Sequence, residues 1–231
     1  MESVYPSRKG TIRMSGFAAI FAGLCILTFA ITSELKGILF IHDALNGGSI
    51  LSWMENVRAS PELSRCIAIL PILGFSSMLL VGISLNRLST PSCWQKNISL
   101  AGYLIGVPVV VAAIVHHLSL MNHIILTSNS AAENTLELYS ALSVYQWEVI
   151  NNFIGPFFVI IVGHSFMAFV LKHENLIPKW LYYWAILNGC LLFLCFFGVF
   201  LPFLKILSLA APSSMIWLVV LGFVLLKLKS E

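Results

Sequence analysis

Six long apolar stretches, divided by short segments that hold almost all of the charge, constrain this chain more than any other feature, because they fix its solvent as a lipid bilayer. A helix crossing the roughly 30 Å hydrocarbon core needs about 20 apolar residues. The stretches 14–32, 66–85, 98–121, 149–171, 181–201 and 213–228 meet that need, the last being the shortest. Charged residues make up only 10% of the chain and hydrophobic ones 58%, whereas a soluble domain carries about 25% charge. A water-soluble fold of this composition would lack the polar surface to cover itself. Segments of alternating polarity, the sequence mark of a membrane barrel, are missing. The 231 residues therefore read as a single all-α integral membrane domain, a six-transmembrane-helix bundle with no room left for a soluble domain.

Orientation follows from the basic residues, because short loops rich in Lys and Arg stay in the cytoplasm. Assigned to alternate sides of six spans, Arg8, Lys9, Arg13, Arg87, Lys96, Lys172, Lys179, Lys227 and Lys229 fall together, nine of the thirteen. Lys36, Arg58, Arg65 and Lys205 fall on the other side. Both termini are thus expected in the cytoplasm. The net charge of +3 belongs to this bias, and the clustered basic and aromatic surface of a nucleic-acid binder is missing. The first stretch follows basic residues, as a signal peptide does, but has no small-residue cleavage site and reads as a retained helix. Cys25, Cys66, Cys93, Cys190 and Cys195 are odd in number, contain no Cys-x-x-Cys pair and read as packing thiols. No inverted duplication of broken helices, a common mark of secondary transporters, is visible.

Pro61, Pro91, Pro178 and Pro212 stand where helices are expected to begin, a position at which the missing amide costs nothing. Pro71, Pro108 and Pro156 fall inside spans and are expected to kink them. Gly102 and Gly106 form a Gly-x-x-x-Gly face, and Ala19 and Gly23 a looser equivalent, best explained by close helix packing within the chain. Between the first two spans, Ile50, Leu51, Trp53, Met54 and Val57 interleave with Ser52, Glu55, Asn56 and Arg58. That pattern predicts an outer interfacial amphipathic helix over 49–59. The segment 127–146 carries Glu133 and Glu137 without Lys or Arg and reads as a solvated lid.

The greatest chemical promise lies in the outer half of the third span, with His116, His117 and His123. Polar groups at such depth are expensive unless partnered. At 100° per residue His116 and His123 share a face with Ser119. The fourth span opens from the same side with Glu148, Asn151 and Asn152, and His42 and Asp43 of the first outer segment are placed to join them. These eight residues form the candidate ligand pocket. Within it, His116, His123 and Glu148 are the candidate ligands for a transition metal, since imidazole and carboxylate bind zinc at about 2.0 to 2.2 Å. No compact motif such as His-Glu-x-x-His supports a metal, and mutual hydrogen bonding is the favoured reading of these groups. Haem is disfavoured, because His117 and His164 differ in level by on the order of 10 Å. His164, between Gly163 and Ser165, reads as a packing histidine bonded to a neighbouring backbone carbonyl. No Gly-x-Ser-x-Gly nucleophile elbow occurs.

The start RKGTIRMSGFAAIFAGL, the junction GHSFMAFVLKHENLIPKWLYYWAIL and the close IWLVVLGFVLLKLK resemble an uncharacterised bacterial family of six-helix integral membrane proteins, domain of unknown function 4386. The resemblance touches about half of the chain around Gly16, Gly163, Pro178, Trp217 and Gly222. It implies a multi-pass protein of the bacterial inner membrane and supplies no catalytic residue; the region 116–123 lies outside the pattern.

Two function classes follow. The favoured one is a non-enzymatic small-molecule or lipid binding, accessory or sensor protein with an outward-facing polar pocket, its partners the bilayer and a small molecule or membrane protein. The other is a metal-dependent membrane enzyme or transporter using His116, His123 and Glu148 as ligands or a proton relay. Scarcity of charge in the middle of the spans favours the first, because ion-coupled transporters place ionisable side chains near the midplane.

Overall fold

A computed structural model describes residues 8–35, 50–88, 94–126, 139–143 and 149–228. Among the described residues the long elements are all helical: α1 (Arg8–Leu35), α2 (Ile50–Ala59), α3 (Pro61–Leu88), α4 (Gln95–Leu126), α5, α6 (Lys179–Cys195) and α7 (Ala210–Lys227). Helix α5 has unbroken helical backbone over 149–173. It contains two π-helical stretches, Ile150–Ile154 and Phe157–His164, followed by α-helical Ser165–His173. Two 3-10 segments, Phe196–Val199 and Pro202–Leu209, join α6 to α7. Five stretches are long and apolar enough to cross a membrane: Arg8–Ser33, Pro61–Leu88, Gln95–Leu126, Lys179–Gly198 and Ile206–Lys227. Phe157–His173 is a shorter apolar helix. The architecture is that of a multi-pass membrane protein.

Local chemistry accounts for the helix ends. The carbonyl of Ser60 accepts the Ser64 amide at 2.9 Å, leaving Pro61 as the first helical residue of α3, where its missing amide is harmless. Pro178 immediately precedes α6 with extended backbone, and Pro212 lies in the first turn of α7. Pro91 is outside the described residues. Asn175 closes α5 with a positive φ of 56°. Its amide and that of Leu176 reach back to the carbonyls of Lys172 and Leu171, the paired bonds of a Schellman stop. Pro71 and Pro108 sit inside helices that remain continuous. Pro156 lies between the two π stretches. There the Gly155 amide bonds to Ile150 O and the Ser165 amide to Ile160 O, five residues back. The disturbance expected at Pro156 takes the form of widened turns on either side.

The helices close into a ring. Helix α1 lies between α3 and α7, α4 between α3 and α5, and α6 between α5 and α7. Inside, Ala22, Met78, Tyr103, Ile160, Leu181 and Trp217 belong to one continuous core. Outside, Phe17 and Phe21 of α1, Leu104 and Ile105 of α4, Leu187 of α6 and Phe223 of α7 are exposed. An apolar coat on outward faces is what a lipid solvent permits and water opposes.

Glycines let backbones touch. A Cβ on Gly222 would lie 2.5 Å from Gly16 O, and one on Gly102 2.6 Å from Phe158 O. The Gly-x-x-x-Gly face therefore serves packing between α4 and α5, as expected, and Gly23 approaches α7 at Met215 and Val219.

Polar contacts tie the two ends of the bundle. At one, Arg8 meets Glu174 at 3.8 Å and the Asn86 amide donates to Lys96 O at 3.0 Å. At the other, Arg65 Nε donates to Asn122 Oδ1 at 2.8 Å and Arg58 Nε to Ile124 O at 3.3 Å. The second bond places a cation on a terminal carbonyl of α4, a favourable position in the helix dipole.

Helix α2 is the expected amphipathic helix, but much of its apolar face is taken up by protein. Trp53, Met54 and Val57 are buried against Leu120, Met121 and Ile124 of α4, while Leu51 is exposed.

Candidate functional site

Helix α4 changes character along its length. Gly102 and Gly106 bring it against α5, and Val110 meets Gly155, where a Cβ would lie 2.8 Å from Val110 Cγ2. Beyond that point Ile150 of α5 still packs against Val110, Ala113 and Ile114, and a cleft opens beside them. Val109, Ala112, Ala113 and His116 follow at i, i+3, i+4 and i+7, a single stripe about 10 Å long. The methyl side chains of Ala112 and Ala113 leave space. A cleft of about 340 Å³ results, lined by these four residues with His117, Ser143 and Ile150. Its wall is hydrocarbon except at one end, where His116 Nε2 lies 3.3 Å from Ser143 Oγ. The Tyr139 ring stands edge-on to His116 with centroids 6.3 Å apart.

The neighbouring histidine points elsewhere. His117 is buried and its ring lies against Trp53 of α2, with centroids 5.5 Å apart. Both histidines line the cleft, but only His116 is exposed. His123 and Ser119 are also exposed, two and one turns beyond His116, and neither lines the cleft. The shared face of His116, Ser119 and His123 is therefore an outward face of α4. Asn151 and Asn152 lie in the first π stretch of α5, adjacent to the cleft residue Ile150. Glu148, His42 and Asp43 lie outside the described residues.

Residues 139–143 correct part of the lid expectation. They form a helical turn in which Ser140 and Ser143 are buried, and Ser143 closes the polar end of the cleft. This part of the segment is packed against α4 through the contacts of Tyr139 and Ser143 with His116.

Among the described residues no three His, Cys, Asp or Glu side chains come together as a metal-holding group. One metal is commonly served by histidines a single turn apart, whereas His116 and His123 are two turns apart. The His116 and Ser143 pair has the elements of base and nucleophile, but among the described residues the contacts of His116 are with Ser143 and Tyr139, and no carboxylate orients its ring. What the arrangement can do directly is hold an apolar body along α4 and hydrogen-bond a polar end at His116 and Ser143.

The cleft residues Val109, Ala112, Ala113, Ser143 and Ile150 are not distinguished by sequence reasoning. The alanine pair one turn before a histidine pair is the signal that carries them. His164 also departs from expectation: it is buried, yet among the described residues neither ring nitrogen has a hydrogen-bond partner. No family model, curated protein or solved structure matches the chain.

Proposed function

We propose that the protein is a six-span integral membrane protein, with both termini cytoplasmic, that binds a small amphipathic molecule or lipid without transforming it. The observation that carries this reading is the cleft of about 340 Å³ along α4, apolar over Val109, Ala112, Ala113 and Ile150 and polar at His116 and Ser143. A ligand site of this kind is concave, mostly apolar and fixed in orientation by a few polar groups. A hydrocarbon chain matches the stripe, and a hydroxyl, carboxyl or ester group matches the imidazole and hydroxyl. Six spans require α5 to cross as well; its uninterrupted 149–173 backbone is at most about 37 Å long at α-helical rise, and the smaller rise of its π turns still leaves it about the length of the hydrocarbon core.

The test is native mass spectrometry of protein released from mild detergent, with lipids identified after extraction. The wild type should carry about one amphiphile per chain, and Ala112→Phe, which fills the cleft from an exposed position, should lose it while folding normally. A wild-type protein free of bound amphiphile, or an Ala112→Phe variant that keeps it, contradicts the reading. Cysteine accessibility tests the threading: labels at 127–138 should react from outside the cell and labels at 174–175 from the cytoplasm.

A further inference from the structure

Tyr103, His164 and Trp217 form an aromatic layer across the inside of the ring, contributed by α4, α5 and α7. The Tyr103 and His164 rings are 5.8 Å apart and the His164 and Trp217 rings 5.2 Å. Trp217 satisfies its indole amide on Leu181 O at 2.8 Å. The other two members are not satisfied. Among the described residues, the hydroxyl of Tyr103 and both ring nitrogens of His164 have no hydrogen-bond partner, although the residues are 0% and 1% exposed. A third such group, Asn188 Nδ2, lies on α6 beside Gly189, whose backbone approaches Ser165 of α5.

Orphaned polar groups are costly in any interior and more so in a bundle surrounded by lipid. Local backbone offers no relief. The carbonyl of Gly163 accepts from Ser99 Oγ at 2.9 Å and that of Ile160 from Ser165 Oγ at 3.3 Å. A Cβ on Gly163 would lie 3.2 Å from Tyr103 Cζ, so the hydroxyl-bearing end of Tyr103 lies over a residue without a side chain, next to His164. His164 ends the second π stretch. Such turns redirect side chains and recur at functional sites.

We propose that Tyr103 and His164 form a buried binding site for a water molecule, which accepts or donates at the phenol and at one imidazole nitrogen. Water suits the donors present: a phenol that gives a proton to a hydrogen bond and a neutral imidazole that both gives and accepts. Buried water typically makes about three bonds to groups that are otherwise unsatisfied. The site is about 20 Å along α4 from His116 and does not depend on the cleft.

The sign of one substitution separates this from an empty layer. Tyr103→Phe removes only the hydroxyl. If the hydroxyl holds water, the apparent Tm in detergent falls by a few degrees; if it holds nothing, removing an unsatisfied group raises Tm or leaves it unchanged, which overturns the proposal. His164→Leu should also lower Tm, and the double variant should fall by less than the sum of the two, since both ends of one bridge are then gone. Additive losses overturn the bridge. Should His164→Leu fail to fold, a density map of the wild type resolving ordered water decides the matter. Density within about 3 Å of Tyr103 Oη and a His164 nitrogen supports the site, and direct bonding of both groups to protein refutes it.

Discussion

The two halves of α4 are equally apolar in sequence and do opposite things. Around Gly102 and Gly106 the helix lies so close to α5 that added β-carbons would meet Phe158 O at 2.6 Å and Phe158 Cβ at 2.8 Å. Around Ala112 and Ala113 it borders a cleft, although Ala113 is itself packed near Ile150 of α5. Side-chain size accompanies the difference: with no β-carbon the backbones meet, and the small side chains of Ala112 and Ala113 line a cleft without filling it. Hydrophobicity suits both halves to the membrane, and side-chain volume separates a half that packs from a half that borders the cleft on which the proposed binding rests.

Gly106→Leu breaks this comparison most severely. Its side chain would be driven into Phe158 and Val159, neither of which is at the end of a flexible chain, so a loss of at least about 1 to 3 kcal/mol is expected. Thermal unfolding in detergent checks it. Ala112→Phe comes next, with bound amphiphile reduced at least about tenfold and Tm nearly unchanged, because Ala112 is exposed on the cleft wall. Equal loss of stability in both variants would erase the distinction between the halves.

Arg65→Ala removes the 2.8 Å bond to Asn122 that anchors the cleft end of α4. The bond is partly exposed, so the expected cost is about 1 kcal/mol, visible as a modest fall in Tm. His116→Ala should weaken amphiphile binding several-fold by removing one hydrogen-bonding group while leaving the apolar wall intact. A binding loss as large as that of Ala112→Phe would show that the polar end dominates. Metal analysis of the purified wild type sharpens the same point. The binding reading predicts substoichiometric metal unaffected by His116→Ala, whereas one zinc per chain lost in that variant would favour the metal reading of His116, His123 and Glu148.

Much of the architecture was legible because lipid leaves few options for a backbone. Apolar length marked the helices, prolines marked their starts at Pro61, Pro178 and Pro212, and the spacing of Gly102 and Gly106 marked a close contact. The interleaved apolar residues of α2 announced an amphipathic helix, although not that Trp53, Met54 and Val57 would cover protein. Gly16, Gly163, Trp217 and Gly222 sit at tight helix contacts or in the core. The site was less legible. Histidines attract attention wherever they occur in a span, but the direction of each depends on helix phase and on what packs opposite. His116 and His117, one residue apart, differ by 100° and so meet different surroundings. Ser143 became a partner of His116 only through the folding of 139–143 onto α4, which no local pattern encodes. Tyr103 passed unnoticed because an aromatic residue in an apolar helix looks like packing until the satisfaction of its hydroxyl is traced.

The central claim, that α4 offers a binding cleft rather than lipid-facing surface, is tested most directly by photolabelling in nanodiscs with a diazirine-bearing fatty acid, followed by peptide mapping. Label should concentrate on 109–116 and Ile150, saturate with added unlabelled fatty acid and disappear in Ala112→Phe. Label spread evenly over outward residues such as Phe17, Leu104, Leu187 and Phe223, without saturation, would contradict it.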